Sequence, residues 1–147
     1  MIKKTSALFA LALLCACAPI TPLPQYVAGP FSGYVYDCES EKQVPPKAEA
    51  FVTQLDLDGD GKPDHLFDIS KGCEANRLLY CNADGCNVKL FLSTQELDVG
   101  SEKATGFRIE KRKGGDLVFL SLKGAACGAA ATCEKQWVWT GSTMVLK

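Results

Sequence analysis

The sequence has a single histidine, His65, among its 147 residues, and no C-x-x-C pair. It therefore has neither the ligand spacing of a zinc module nor a thiol redox motif. No internal repeat is visible, and no segment sustains a 3.6-residue apolar period. Charge of either sign is not in excess: 16 basic residues stand against 17 acidic ones, for a formal net charge of −1. That balance argues against a nucleic-acid partner. The longest unbroken apolar run, Ala7 to Leu14, falls short of the roughly 20 residues that cross a bilayer.

What is there begins with that run. Lys3 and Lys4 precede it, and its length suits the apolar core of a signal peptide. The segment Leu14-Cys15-Ala16-Cys17 resembles the bacterial lipobox, with Leu three residues before a cysteine and Ala just before it. The resemblance implies cleavage after residue 16 and lipid on Cys17. Cys15 is the poorer acceptor because Leu14 precedes it where a small residue is expected. No Asp follows Cys17, which leans towards the outer membrane, with the chain facing the periplasm or cell surface. Loss of Lys3 and Lys4 would leave 14 basic residues against 17 acidic, about −3. Residues 17–30, with Pro19, Pro22, Pro24 and Pro30, read as a Pro-rich tether reaching about 40 Å if extended. Residues 31–147 read as one domain.

Six cysteines remain: Cys38, Cys73, Cys81, Cys86, Cys127 and Cys133. An even number in an exported chain of this size reads as a disulfide framework, and six cysteines allow fifteen connectivities. Spacing offers a hint. Asn82-Ala83-Asp84-Gly85 is a strong turn between Cys81 and Cys86. Small residues separate Cys127 from Cys133. Two local bridges would leave Cys38 with Cys73. In the chain-entropy account the short bridges stabilise by about 2 kcal/mol each and the long one by roughly 4 kcal/mol.

The most informative stretch is Asp56-Leu57-Asp58-Gly59-Asp60-Gly61-Lys62-Pro63-Asp64. Carboxylates at loop positions 1, 3, 5 and 9, with glycine at 6, give the oxygen-rich winding that Ca²⁺ requires. Asp56, Asp58, Asp60 and Asp64 would supply carboxylates, and Lys62 its backbone carbonyl. An EF-hand would carry Glu at position 12, where this chain has Phe67, and strand-like residues flank the loop instead of helices. The words Leu-Asp-Leu-Asp-Gly-Asp-Gly-Lys-Pro-Asp-His-Leu resemble the calcium loops of FG-GAP and VCBS repeats. Those families repeat the motif, whereas here it occurs once, so the resemblance implies one blade-like meander and not a propeller. The expected role of Ca²⁺ is structural, with an affinity on the order of 10⁻⁴–10⁻³ M.

The rest reads as antiparallel β, with seven or eight strands in a meander or sandwich-like domain. Expected strands lie at Tyr34–Tyr36, Glu49–Leu57, His65–Ile69, Val88–Leu92, Phe107–Lys111, Leu117–Leu122, Trp137–Trp139 and Thr143–Leu146. Phe107 and Ile109 should face inward. Gly114-Gly115 and Gly141-Ser142 suit tight hairpins. Residues 93–106 read as a long connection, and Glu74 to Leu79 as a helical turn.

Other residues carry weaker signals. His65 could act as a general base, but no motif places a nucleophile with it, and a strand histidine is the better reading. Trp137 and Trp139 share a strand face and read as core more than as a ligand platform. Lys111-Arg112-Lys113 reads as a solvated hairpin tip. Tyr34-x-x-x-Cys38 resembles the opening of small periplasmic lysozyme-inhibitor lipoproteins, which makes a hydrolase inhibitor the alternative function. The leading expectation is a non-enzymatic envelope lipoprotein, an interaction or structural module with a protein partner in the envelope.

Overall fold

The computed structural model describes residues 22–128 and 131–147. The expected signal peptide and Cys17, the expected lipid acceptor, lie outside them. The described chain is mainly β, in two antiparallel sheets with helices on one side.

Helix α1 (Gln25–Ser40) and the single turn α2 (Ala48–Phe51) lead into strands β1 (Val52–Leu55) and β2 (Asp64–Asp68). A 3₁₀ turn (Ile69–Lys71) and α3 (Glu74–Tyr80) follow, then β3 (Cys81–Asn82), β4 (Gly85–Leu92) and β5 (Leu97–Ala104). The second sheet comprises β6 (Gly106–Glu110), β7 (Leu117–Lys123), β8 (Thr132–Trp139) and β9 (Met144–Leu146), with a 3₁₀ turn (Gly124–Cys127) between β7 and β8. In the first sheet β4 is central, flanked by β2 and the short β3 on one edge and by β5 on the other; β1 lies outside β2. The second sheet runs β6-β7-β8-β9.

The molecule has three layers. Leu55, Leu66, Leu90 and Leu92 from the first sheet meet Val118, Leu120, Leu122 and Trp137 from the second in one apolar core. The other face of the first sheet packs Phe67, Ile69 and Phe91 against Val27 and Tyr34 of α1 and Phe51 of α2. The rings of Phe67 and Phe91 lie 4.6 Å apart, and those of Phe51 and Phe67 5.3 Å. Each phenylalanine buried this way contributes about 1.5–3 kcal/mol. Because β2 is buried on both faces, Leu-Phe lie side by side in it without polar alternation.

The sequence reading needs three corrections. The strand expected at Tyr34–Tyr36 is helix, and residues 25–30 of the expected tether form its first turns. Val27, Phe31, Tyr34 and Cys38 recur at intervals of four, three and four, the stripe of a helix face, and that stripe packs on the sheet. Gly29, Pro30 and Gly33 disguise it; Pro30 removes one N–H but does not end the helix. Second, the connection over 93–106 contains β5. This edge strand has few apolar side chains, so burial gives it no alternating signature. Third, there are nine strands among the described residues where seven or eight were expected. The hairpins at Gly114-Gly115 and Gly141-Ser142, the helical turn after Glu74, and the inward packing of Phe107, Ile109 and Trp137 agree with expectation.

All three bridges form as the spacing suggested: Cys38–Cys73, Cys81–Cys86 and Cys127–Cys133. Such a framework belongs to an oxidising, extracytoplasmic environment. No helix among the described residues is long and apolar enough to cross a membrane.

Candidate metal centre

The acidic loop connects β1 to β2, whose register pairs Leu55 with Asp64 across its base. Leu57 turns into the core between the sheets and anchors the loop from below. Gly59 takes φ +75°, and a Cβ there would lie 2.6 Å from the Gly114 carbonyl oxygen. The loop backbone thus packs directly on the β6–β7 turn. Gly115 meets it from the other side, where a Cβ would come 2.8 Å from the Leu57 carbonyl oxygen.

Carboxylate oxygens of Asp56, Asp58 and Asp64 come within 4.8 Å of one another, close enough to hold a metal ion. Hydrogen bonds from within and around the loop set their orientation. Asp56 Oδ1 accepts from Gly59 N at 2.9 Å and Oδ2 from Gly61 N at 3.1 Å. Asp58 Oδ1 accepts from Asp60 N at 3.3 Å, and Oδ2 from the Thr94 hydroxyl at 3.0 Å. Asp64 is fully buried; Leu57 N donates to its Oδ2 and Ser93 N to its Oδ1, both at 2.8 Å. Burial pushes the Asp64 carboxyl above its usual range, and the two backbone N–H groups only partly offset this. A cation beside it would favour the ionised form.

The donors fit a hard cation. All three are carboxylate oxygens, and each oxygen's single hydrogen bond leaves a lone pair free. Softer metals would call for thiolate or imidazole, and the cysteines are paired. Asp60 stands apart from this group: its Oδ1 caps Lys62 N at 2.7 Å, and Oδ2 lies 4.0 Å from the Lys62 ammonium. Lys62, expected to offer its backbone carbonyl, is an exposed residue of the same loop.

Sequence reasoning missed the brace beneath the loop. Asp56 N donates to Asp116 Oδ2 at 2.8 Å, and Asp116 N donates back to the Asp56 carbonyl. Burial works against ionisation of Asp116. The Lys111 ammonium, 2.7 Å away, and the N–H groups of Asp56 and Arg112 outweigh it and hold the carboxyl below its usual range. Ser93 and Thr94 were likewise missed. Their partners lie far off in sequence, where local spacing carries no signal.

The remaining candidates resolve into structural roles. His65 is buried; Tyr26 Oη lies 3.3 Å from its Nδ1, and Nε2 has no protein partner. Burial lowers its pKa, so the neutral ring is favoured. Lys111 pairs with Asp116, and Arg112 with Glu110, so two of the three basic residues at the tip are in intramolecular ion pairs. Tyr34 is core and Cys38 is bridged, which gives both residues of the inhibitor-like motif a structural use.

No protein-family model matches this chain, and neither the curated proteins nor the solved structures contain a significant match.

Proposed function

We propose that this chain is an exported, lipid-anchored interaction module whose fold is fastened by calcium and three disulfides. The observation that carries the reading is the convergence of Asp56, Asp58 and Asp64 on a loop locked against the opposite sheet. Calcium there clamps the β1–β2 loop on itself, and the Asp56–Asp116 hydrogen bonds and the Gly59–Gly114 packing hold that loop to the β6–β7 turn of the other sheet. Calcium is favoured over magnesium because three carboxylates on a wound loop leave room for carbonyls and water to complete six to eight ligands. A metal so placed stabilises the loop on which its ligands sit. His65, the one histidine, is buried beneath Tyr26 and reads as a packed strand residue.

The lipobox-like Leu14-Cys15-Ala16-Cys17 supports attachment through Cys17, and the missing Asp after it supports the outer membrane. The bridges support the same compartment. Several acyl chains on one cysteine anchor a protein firmly, where one alone does not. In-cell crosslinking of the anchored protein tests the interaction role. One envelope protein recovered reproducibly supports it, and no crosslinked species at any density of crosslinker contradicts it. Cys17→Ala tests the anchor: the variant should leave the membrane fraction, and retention there would refute it.

A further inference from the structure

Among the described residues, five large apolar side chains stand exposed, and four of them lie on or next to α1 and α3 in the chain. Tyr36 (69% exposed) lies on α1, Val44 (87%) just after it, and Leu78 (76%) and Leu79 (64%) on α3. Between α1 and α3 runs a groove lined by Asp37, Ser40, Glu41, Ala75, Leu78 and Leu79. Ala75, Leu78 and Leu79 are spaced i, i+3, i+4 and form its apolar wall. Asp37 and Glu41 form the other wall, and no cation lines it.

The groove is preformed. The Cys38–Cys73 bridge ties the two helical segments together. Asn76 Nδ2 donates to the Tyr34 carbonyl at 3.1 Å, Ala75 N to Gln43 Oε1 at 3.0 Å, and the Tyr80 hydroxyl to Asp37 Oδ2 at 3.0 Å. A surface braced this way gives up little ordering entropy on binding. Its two-sided chemistry defines the occupant. Apolar anchors would seat on Leu78 and Leu79, and cations would meet Asp37 and Glu41. Anionic lipid headgroups would be repelled by that acidic wall. A second copy would bring this same acid-lined groove and leave Asp37 and Glu41 without a cation from its lining.

We propose that the α1–α3 groove docks a basic amphipathic segment of another protein, with leucine-like anchors on the α3 wall and lysine or arginine on the α1 wall. This rests on the reading of the chain as an interaction module and gives that module its surface. The test titrates the isotope-labelled full chain with a 14-residue helical peptide of leucine and lysine. The controls are a leucine–glutamate peptide of the same spacing and phosphatidylglycerol vesicles. The lysine peptide should bind and shift amides of residues 36–44 and 74–80; the glutamate peptide should bind about ten-fold more weakly or worse. L78S/L79S, two exposed changes, should cut affinity about ten-fold, and E41K severalfold, with circular dichroism unchanged. Shifts mapping elsewhere, indifference to L78S/L79S, vesicle capture as strong as peptide binding, or self-association through Leu78 would each overturn the proposal. A crosslinked envelope partner that L78S/L79S still captures would remove this groove but leave the interaction-module reading standing.

Discussion

Asp56 and Asp116, 60 residues apart, hold each other by a reciprocal pair of hydrogen bonds. The Asp56 amide donates to the Asp116 carboxylate, and the Asp116 amide donates to the Asp56 carbonyl. Asp56 also contributes a carboxylate to the candidate metal centre. The first residue of the loop is therefore fixed by the opposite sheet before any ion binds.

Removing this brace should loosen fold and loop together. Asp116→Ala leaves the Asp56 N–H and the Lys111 ammonium without their partner, and should cost about 1–3 kcal/mol in urea unfolding. Asp116→Asn keeps an acceptor and should cost less. Equal losses for the two variants would show that the charge facing Lys111, and not the acceptor as such, matters at this position.

The two positive-φ glycines of the loop should respond differently. Gly59→Ala meets the Gly114 carbonyl at 2.6 Å and must displace backbone, whereas a Cβ at Gly61 meets nothing within 4 Å. Gly61→Ala should cost only the left-handed backbone penalty, about 1–2 kcal/mol, and Gly59→Ala clearly more. Thermal melts of both variants check the order.

How much of this was legible in the sequence depends on where each residue's partners lie. Asp56, Asp58 and Asp64 were legible because the loop winds on itself, and alternating carboxylates with glycines encode that locally. The bridges Cys81–Cys86 and Cys127–Cys133 were legible for the same reason. Asp116, Ser93 and Thr94 were not, since only tertiary packing brings them to the loop. Helix α1 failed differently: its stripe of Val27, Phe31, Tyr34 and Cys38 was present, but the run Tyr34-Val35-Tyr36 and the glycines around Pro30 spoke for extended chain. Burial against Phe51 and Phe67 overrides that local preference. Strand β5 is held by its ladder to β4, and backbone pairing leaves no trace in side-chain pattern.

Tyr34 gives the fold an alkaline limit. Burial first, then the neighbouring Tyr80 and the acidic Asp98 and Asp37, raise its pKa far above the ordinary phenol value. A raised pKa means that the folded state holds the proton more tightly than the unfolded one. The associated stability is complete below about pH 10 and is lost as pH rises through the folded value. Tyr34→Phe should lose less stability than the parent between about pH 9 and about pH 11, read by denaturant midpoints. Parallel loss in both proteins would assign the alkaline limit elsewhere.

Cys38–Cys73 spans 35 residues and pins α1 to the segment leading into α3. Replacing both cysteines with alanine should cost about 4 kcal/mol by loop-closure entropy. The double variant should also expose α1 to protease before the sheets, because its remaining attachments are one apolar face and single hydrogen bonds from Asn76 and Tyr80. Cleavage beginning in the β-sheets would contradict this order.

The most direct test is the calcium dependence of melting, compared across single loop variants. At 10 mM Ca²⁺, an affinity on the order of 10⁻⁴–10⁻³ M should stabilise the parent by about 1.4–2.7 kcal/mol relative to EDTA. Asp56→Asn, Asp58→Asn and Asp64→Asn should each abolish most of that gain, whereas Asp60→Asn, outside the converging group, should retain much of it. Identical melting of the parent in calcium and in EDTA would contradict the account.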